Sequence, residues 1–68
     1  MQMKNITIGS RFYCENYGTY ITVVDFDCSR IVYTCEIEEL NDQGEYEITD
    51  TVLYTRDELL SARWQEVG

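Results

Sequence analysis

Two runs rich in β-branched and aromatic residues, at positions 19–26 and 31–38, constrain the fold of this 68-residue chain more than any other feature. Such residues favour strands, and the short segment between the runs contains Asp and Ser, which favour turns. The two runs therefore predict a pair of antiparallel strands. In the second run every other residue is apolar, and we expect its core face to consist of Ile31, Tyr33, Cys35 and Ile37.

Further strands are predicted on both sides of this pair, at positions 11–14 and at 45–49, which residues 52–54 continue or restart. Residues 64–67 are expected to form a final short strand or an extended tail, which gives about five strands. Turns are predicted at 15–18, where Gly18 can adopt a positive φ, and at 41–44. The sequence from Thr55 to Glu58 has the pattern of a capping box, which predicts one helical turn before the last strand. The first run is apolar on both faces, which suits a strand that bends between two halves of a small barrel.

The length allows a single domain over residues 1–68, of which we expect residues 1–5 to be frayed. The three cysteines, Cys14, Cys28 and Cys35, are an odd number and predict reduced thiols rather than disulfides. The chain has no histidine, no CxxC pair and no glycine-rich phosphate loop. We therefore expect neither an enzyme nor a metal or other cofactor, and a cytoplasmic protein without a membrane span.

The acidic residues are concentrated in one part of the chain. The net charge is −8, from 13 acids and 5 bases, and the segment between Arg30 and Arg56 contains seven acids and no base. These seven, which carry −7 of the −8, are Glu36, Glu38, Glu39, Asp42, Glu45, Glu47 and Asp50. If the strands pair around the turn at 41–44, four carboxylates are expected on one face, those of Glu36, Glu38, Glu45 and Glu47.

Two interpretations of this acidic hairpin stay open. It is a solvated surface that keeps a small protein soluble, or it is a negative face that docks onto a basic groove. The channel of a nucleic-acid-binding protein is such a groove, and a row of carboxylates can act there as a DNA mimic. Direct binding to nucleic acid is disfavoured, since the five basic residues are scattered.

Six tyrosines are too many for so small a core to bury with every hydroxyl hydrogen-bonded. We expect Tyr17 to be the most exposed, followed by Tyr20 and Tyr46, and exposed tyrosines make good contacts with a partner. The alternative is that they are half-buried strand residues. An aromatic cage for a cationic side chain, as in Tudor-like barrels, would require Tyr17, Tyr20 and Asp25 to converge.

The pattern resembles the small SH3-like barrels of phage-encoded accessory proteins. The resemblance rests on residues 8–13, 20–23 and 31–33, and on the helical turn at 56–60 that precedes Trp64. It implies a five-stranded barrel or antiparallel sheet with a short C-terminal helical turn. Proteins of this type include inhibitors of host defence such as anti-CRISPR proteins, which act in the host cytoplasm.

The resulting expectation is a protein-binding inhibitor or modulator that docks its acidic hairpin onto the basic groove of a host nucleic-acid-binding protein or complex. The expected contacts are the seven acids of the hairpin with Tyr17, Tyr20 and Tyr46. Two alternatives remain: a Tudor-like module that binds a cationic peptide through tyrosines, and a structural protein that self-assembles through an exposed β edge. The chain is expected to be a monomer or a homodimer.

Overall fold

The structure, a computed structural model, describes residues 6–61 and 64–67. The strands are β1 (Arg11–Cys14), β2 (Thr19–Asp27), β3 (Val32–Leu40), β4 (Tyr46–Tyr54) and β5 (Gln65–Val67), and the one described helix is α1 (Arg56–Leu59). All pairings are antiparallel. The predicted mainly β chain of five strands and one helical turn is confirmed, while residues 1–5, predicted to be frayed, lie outside the described residues.

The strands form one sheet in the order β4-β3-β2-β1-β5. Consecutive strands β1 to β4 are neighbours, and β5 returns to pair with β1 at the edge away from β4. Among the described strands β4 and β5 are therefore two free edges. Of the two predicted forms, a barrel or an antiparallel sheet, the structure has the sheet. Closure into a barrel is wrong, because the three-residue β5 pairs with β1 and not with β4.

One face of the sheet, the core face, carries the hydrophobic core. Its buried cluster joins strands β1, β2 and β3 to the helix and consists of Phe12, Ile21, Val23, Tyr33, Cys35 and Leu59. Helix α1 begins as predicted: the Thr55 hydroxyl accepts from the Glu58 amide, and the Glu58 carboxylate accepts from the Thr55 amide at 2.8 Å. This capping box holds the short helix over the sheet, where Leu59 is only 1% exposed.

The predicted core face of β3 is correct for Tyr33 and Cys35, which are buried, and for half-buried Ile37. It is wrong for Ile31, which is 65% exposed. Ile31 has a φ of 57° and donates its amide to the Asp27 carbonyl at 2.8 Å. It therefore closes the turn between β2 and β3 rather than starting the strand, in a left-handed conformation that costs a β-branched residue free energy.

A β-bulge explains the two apolar faces of β2. The register with β3 shifts between Val23 and Asp25, so that Val24 is the extra residue. Before the bulge Ile21 and Val23 point into the core, and after it Phe26 pairs with Tyr33 at a ring-centroid distance of 4.7 Å. Odd positions face the core on one side of the bulge and an even position does so on the other.

Candidate functional site

The turn between β3 and β4 sets which acidic residues meet. Asn41 and Glu45 close the connection through an amide–carbonyl hydrogen bond of 2.7 Å, and the Gly44 amide donates to the Asn41 carbonyl at 3.1 Å. The Asn41 side-chain oxygen accepts two more amides, from Gln43 and Glu45. The predicted turn at 41–44 is confirmed, with Glu45 as a fifth residue between the strands.

This five-residue connection decides the faces of the carboxylates. Glu39 pairs with Glu47, and Glu38 pairs with Ile48. Directly paired residues project from the same face of a sheet, so Glu47 shares a face with Glu39 while Glu36 and Glu38 project from the other. The expectation that Glu36, Glu38, Glu45 and Glu47 crowd one face is therefore wrong. Two of them lie on one face, one lies on the other, and Glu45 belongs to the turn.

A groove lies beside the core and runs along the β3–β4 hairpin. It encloses about 330 Å³, and we call it the acidic groove because two carboxylates face it. Ile37 and Glu39 come from alternate positions of β3, and Asp50 is the direct partner of Ile37 on β4. The complete lining is Tyr17, Thr19, Ile37, Glu39, Asp50, Tyr54 and Trp64.

A second irregularity in the sheet shapes this groove. The register between β3 and β4 shifts between Ile37 and Glu38, which leaves Thr49 as the extra residue of β4. Thr49 donates its hydroxyl to a Glu39 carboxylate oxygen at 2.5 Å. Because of the shift, Asp50 as well as Glu47 projects from the face that carries Glu39. Three carboxylates thus lie on or next to the groove, and no described lining residue is basic.

Three aromatic side chains complete the walls. Tyr54 and Trp64 lie edge to face with their ring centroids 6.0 Å apart, and both are half-buried. Tyr17 enters from the turn after β1 and is 73% exposed, as the sequence predicted. Tyr54 and Trp64 were not predicted as site residues. Tyr54 lies four residues after Asp50 on β4, so strand alternation could have predicted that both project from one face. No local pattern points from Trp64 to this groove.

Tyr20 and Tyr46, the other two predicted tyrosines, lie on the opposite side of the sheet, which we call the open face. There Tyr20 contacts Tyr13 and Tyr46, with ring centroids 4.7 and 4.9 Å apart. The Arg11 guanidinium lies 4.3 Å from the centroid of the Tyr20 ring and 3.0 Å from Glu38. Partial burial, together with the Tyr13 and Tyr20 hydroxyls, raises the pKa of Tyr46.

The predicted cage of Tyr17, Tyr20 and Asp25 is not formed. Tyr20 alternates with groove-lining Thr19 and so projects away from the groove, while Tyr17 faces it. Asp25 pairs with Thr34, beyond the β2 bulge. The structure thus brings Tyr17 to a different set of partners, those of the acidic groove.

The remaining acids and thiols lie elsewhere. Asp42 and Glu45 are exposed in the β3–β4 turn. Cys14 and Cys35 are buried and Cys28 is exposed, all three as free thiols, and burial raises the pKa of Cys35 to about 11. Within residues 6–61 and 64–67, no group of three acidic or cysteine side chains is placed to hold a metal ion.

Within residues 6–61 and 64–67, no helix is long and apolar enough to cross a membrane. Comparison of the chain with protein-family models, with curated proteins and with solved structures finds no match.

Proposed function

We propose that this protein acts by binding, and that its acidic groove accepts a cationic segment of a protein partner. The observation that carries this proposal is the meeting of two carboxylates with three aromatic rings in one cavity of about 330 Å³. A cavity of this size accommodates one or two long side chains rather than a folded domain. Lys and Arg have the matching chemistry, a cationic head on an apolar stem.

The carboxylates supply the charge recognition. Glu39 and Asp50 are exposed, and Glu47 lies directly opposite Glu39, so the mouth of the groove is strongly negative. A guanidinium that entered would form charge-assisted hydrogen bonds with these oxygens. It would also relieve the repulsion between Glu39 and Glu47, which raises the benefit of a bound cation above that of a single ion pair.

The aromatic rings supply the second component. A guanidinium or ammonium over the face of Tyr or Trp gains about 0.5–2 kcal/mol, depending on how far it is desolvated. Tyr54 and Trp64 are half-buried and already pack edge to face, which fixes their orientation before the ligand arrives. Tyr17 is exposed on the adjacent turn and can close over the bound side chain.

Trp64 provides the assay, because it is the single tryptophan of the chain and lines the groove. We expect a short blocked peptide of alternating Arg and Gly to change Trp64 fluorescence on titration, and the same peptide with citrulline in place of Arg to bind at least about tenfold more weakly. The double variant Glu39→Gln/Asp50→Asn should weaken binding of the Arg peptide by about tenfold or more.

The matched control removes the same charge outside the groove. Glu36→Gln/Asp42→Asn also changes the net charge from −8 to −6, since each substitution removes one carboxylate. It should alter affinity by less than about twofold near physiological salt, because Glu36 projects from the opposite face of the sheet and Asp42 is exposed in the turn, where salt screens its charge. Equal weakening by both double variants, or equal binding of the Arg and citrulline peptides, would contradict a specific groove site.

A second candidate is docking of the whole hairpin onto the basic groove of a nucleic-acid-binding protein, as an inhibitor. One observation favours it: carboxylates project from both faces of the hairpin and from its turn, so a channel could surround it with positive charge. On this reading the two double variants reduce binding to a basic protein equally, and both losses disappear at high salt. The same pair of variants therefore separates the two functions.

A further inference from the structure

The open face is a second surface, independent of the acidic groove. Its large apolar side chains lie on strands β3 and β4 and are more than half exposed: Leu40 at 58%, Ile48 at 58% and Leu53 at 54%. Next to them runs the row of packed rings formed by Tyr13, Tyr20 and Tyr46. Helix α1 lies on the other side of the sheet, where Leu59 joins the core.

We propose that the open face is the interface of a two-fold symmetric homodimer in which two sheets pack face to face. Most domains consist of two packed layers, and aligned sheets stack about 10 Å apart. In this chain the core face has the helix as its second layer, and a second copy would supply the missing layer on the open face.

Two charges of the open face, those of Arg11 and Glu36, complement each other under two-fold symmetry. Arg11 pairs with Thr22 across β1 and β2, and Thr22 pairs with Glu36 across β2 and β3, so the three residues form one row. A two-fold axis parallel to β2 and facing Thr22 brings β1 of one copy over β3 of the other. Arg11 of each copy then faces Glu36 of the other, which yields two equivalent ion pairs.

The charges on the two faces of the sheet also favour the open face over the core face as the dimer interface. On the open face Arg11 offsets Glu38, at 3.0 Å, and Arg30 offsets Asp27, at 3.3 Å, which leaves Glu36 and Asp25 as the two unpaired negative charges. The face with the groove carries Glu39, Glu47 and Asp50, and two copies packed through it would oppose six carboxylates, three from each. Packing through the open face also leaves both acidic grooves accessible, so the dimer does not interfere with the proposed binding.

The available area fits a weak but specific dimer. Strands about 4.8 Å apart that rise about 3.3 Å per residue give the sheet a projected area of roughly 550 Å². Two copies would thus cover about 1,100 Å², near the lower limit of stable interfaces. We expect a dissociation constant on the order of 10–100 µM.

The test is sedimentation equilibrium over a concentration range that spans this value. The wild-type mass should rise from that of one chain, 8.0 kDa, toward twice that value. Glu36→Arg places Arg opposite Arg, and Arg11→Glu places Glu opposite Glu, so each variant alone should dimerise at least about tenfold more weakly. An equimolar mixture of the two should recover the association, because each copy then faces an opposite charge.

Two further measurements keep the test decisive. Circular dichroism must show that both variants fold. If Arg11→Glu does not fold, Ile48→Asp takes its place in the test. This substitution puts a charge in the apolar part of the face and should also abolish the dimer. A monomeric mass at every concentration overturns the proposal. So does a dimer that survives Glu36→Arg and Ile48→Asp, since self-association would then use another surface, such as the free edge of β4 or β5.

Discussion

The two faces of the sheet are built from the same strands but differ in what they can contact. Along β3, Cys35, Ile37 and Glu39 run from the core to the acidic groove, while Glu36 and Glu38 alternate with them on the open face. The groove face has its carboxylates next to aromatic rings with no described cation among them. The open face has an arginine that neutralises Glu38 and packs on Tyr20. Alternation along one strand therefore separates a site of unpaired carboxylates from a surface where part of the negative charge is neutralised.

The largest difference between the faces is expected in their contribution to stability. Replacing Leu59, the helix residue that is only 1% exposed, by Ala should lower the free energy of unfolding by about 2–5 kcal/mol, because a buried cavity remains. Leu53→Ala is the matched control on the open face, where the side chain is 54% exposed, and should cost less than about 0.5 kcal/mol in dilute solution. Urea denaturation measures both, and similar losses would mean that the open face is also part of the core.

A pH titration tests the burial of the core face directly. The pKa of Cys35 rises from 9.0 to about 11 in the folded state, so above pH 9 the unfolded chain releases this proton first. The contribution of the neutral Cys35 thiol to the free energy of unfolding is thus fully present below pH 9. It is lost as the pH rises through about 11, by up to about 2–3 kcal/mol. Thermal denaturation of the wild type and of Cys35→Ala isolates the effect, since tyrosine ionisation is common to both. Parallel pH curves would argue against a buried thiol.

On the open face, Arg11 is expected to contribute about 1 kcal/mol. Arg11→Met removes the 3.0 Å ion pair with Glu38 and the contact with the Tyr20 ring while keeping the apolar stem. Arg30→Met is the control, because its ion pair with Asp27 is more exposed and should contribute almost nothing. The comparison uses urea denaturation at concentrations well below those of self-association. A loss for Arg30→Met as large as that for Arg11→Met would show that the ring contact adds nothing.

The smallest expected effect is a gain in stability on the groove face. Glu47 lies directly opposite Glu39, and Glu47→Gln removes this like-charge pair, which should stabilise the fold by about 0.2–0.5 kcal/mol. The gain should shrink as salt is added. Glu45→Gln, in the turn, changes the net charge equally and should have a smaller effect. If the two substitutions are equivalent, the overall charge and not the pairing of Glu39 with Glu47 is responsible.

Features that depend on neighbouring residues were predictable. The alternation at 31–38 identified Tyr33 and Cys35 as core residues, and the capping box from Thr55 to Glu58 located the helix. Tyr17 was predicted to be exposed because turn residues rarely find a core. Ile31 was predicted incorrectly, since its apolar side chain fits the strand pattern while its backbone is needed to close the preceding turn.

The faces of the acids were not predictable, because a shift of one residue in the pairing of two strands moves every side chain of one strand to the opposite face. Glu45 as a fifth residue of the connection, and the extra residue Thr49, decide that Glu47 joins Glu39 and that Asp50 joins the groove. Neither feature has a strong sequence signal. The concentration of acids between residues 36 and 50 could be read from the sequence, whereas their distribution over the two faces of the sheet could not.

The sequence by itself therefore determined the strands, the turns, the helical cap and the segment that carries the charge, since these depend on local propensity and on composition. Only the tertiary structure decided that the sheet stays open, which carboxylates share a face, and that Tyr17 and Trp64, 47 positions apart in the chain, line one groove. The physical reason is that strand register and long-range packing depend on the whole set of contacts, which no short stretch of sequence determines.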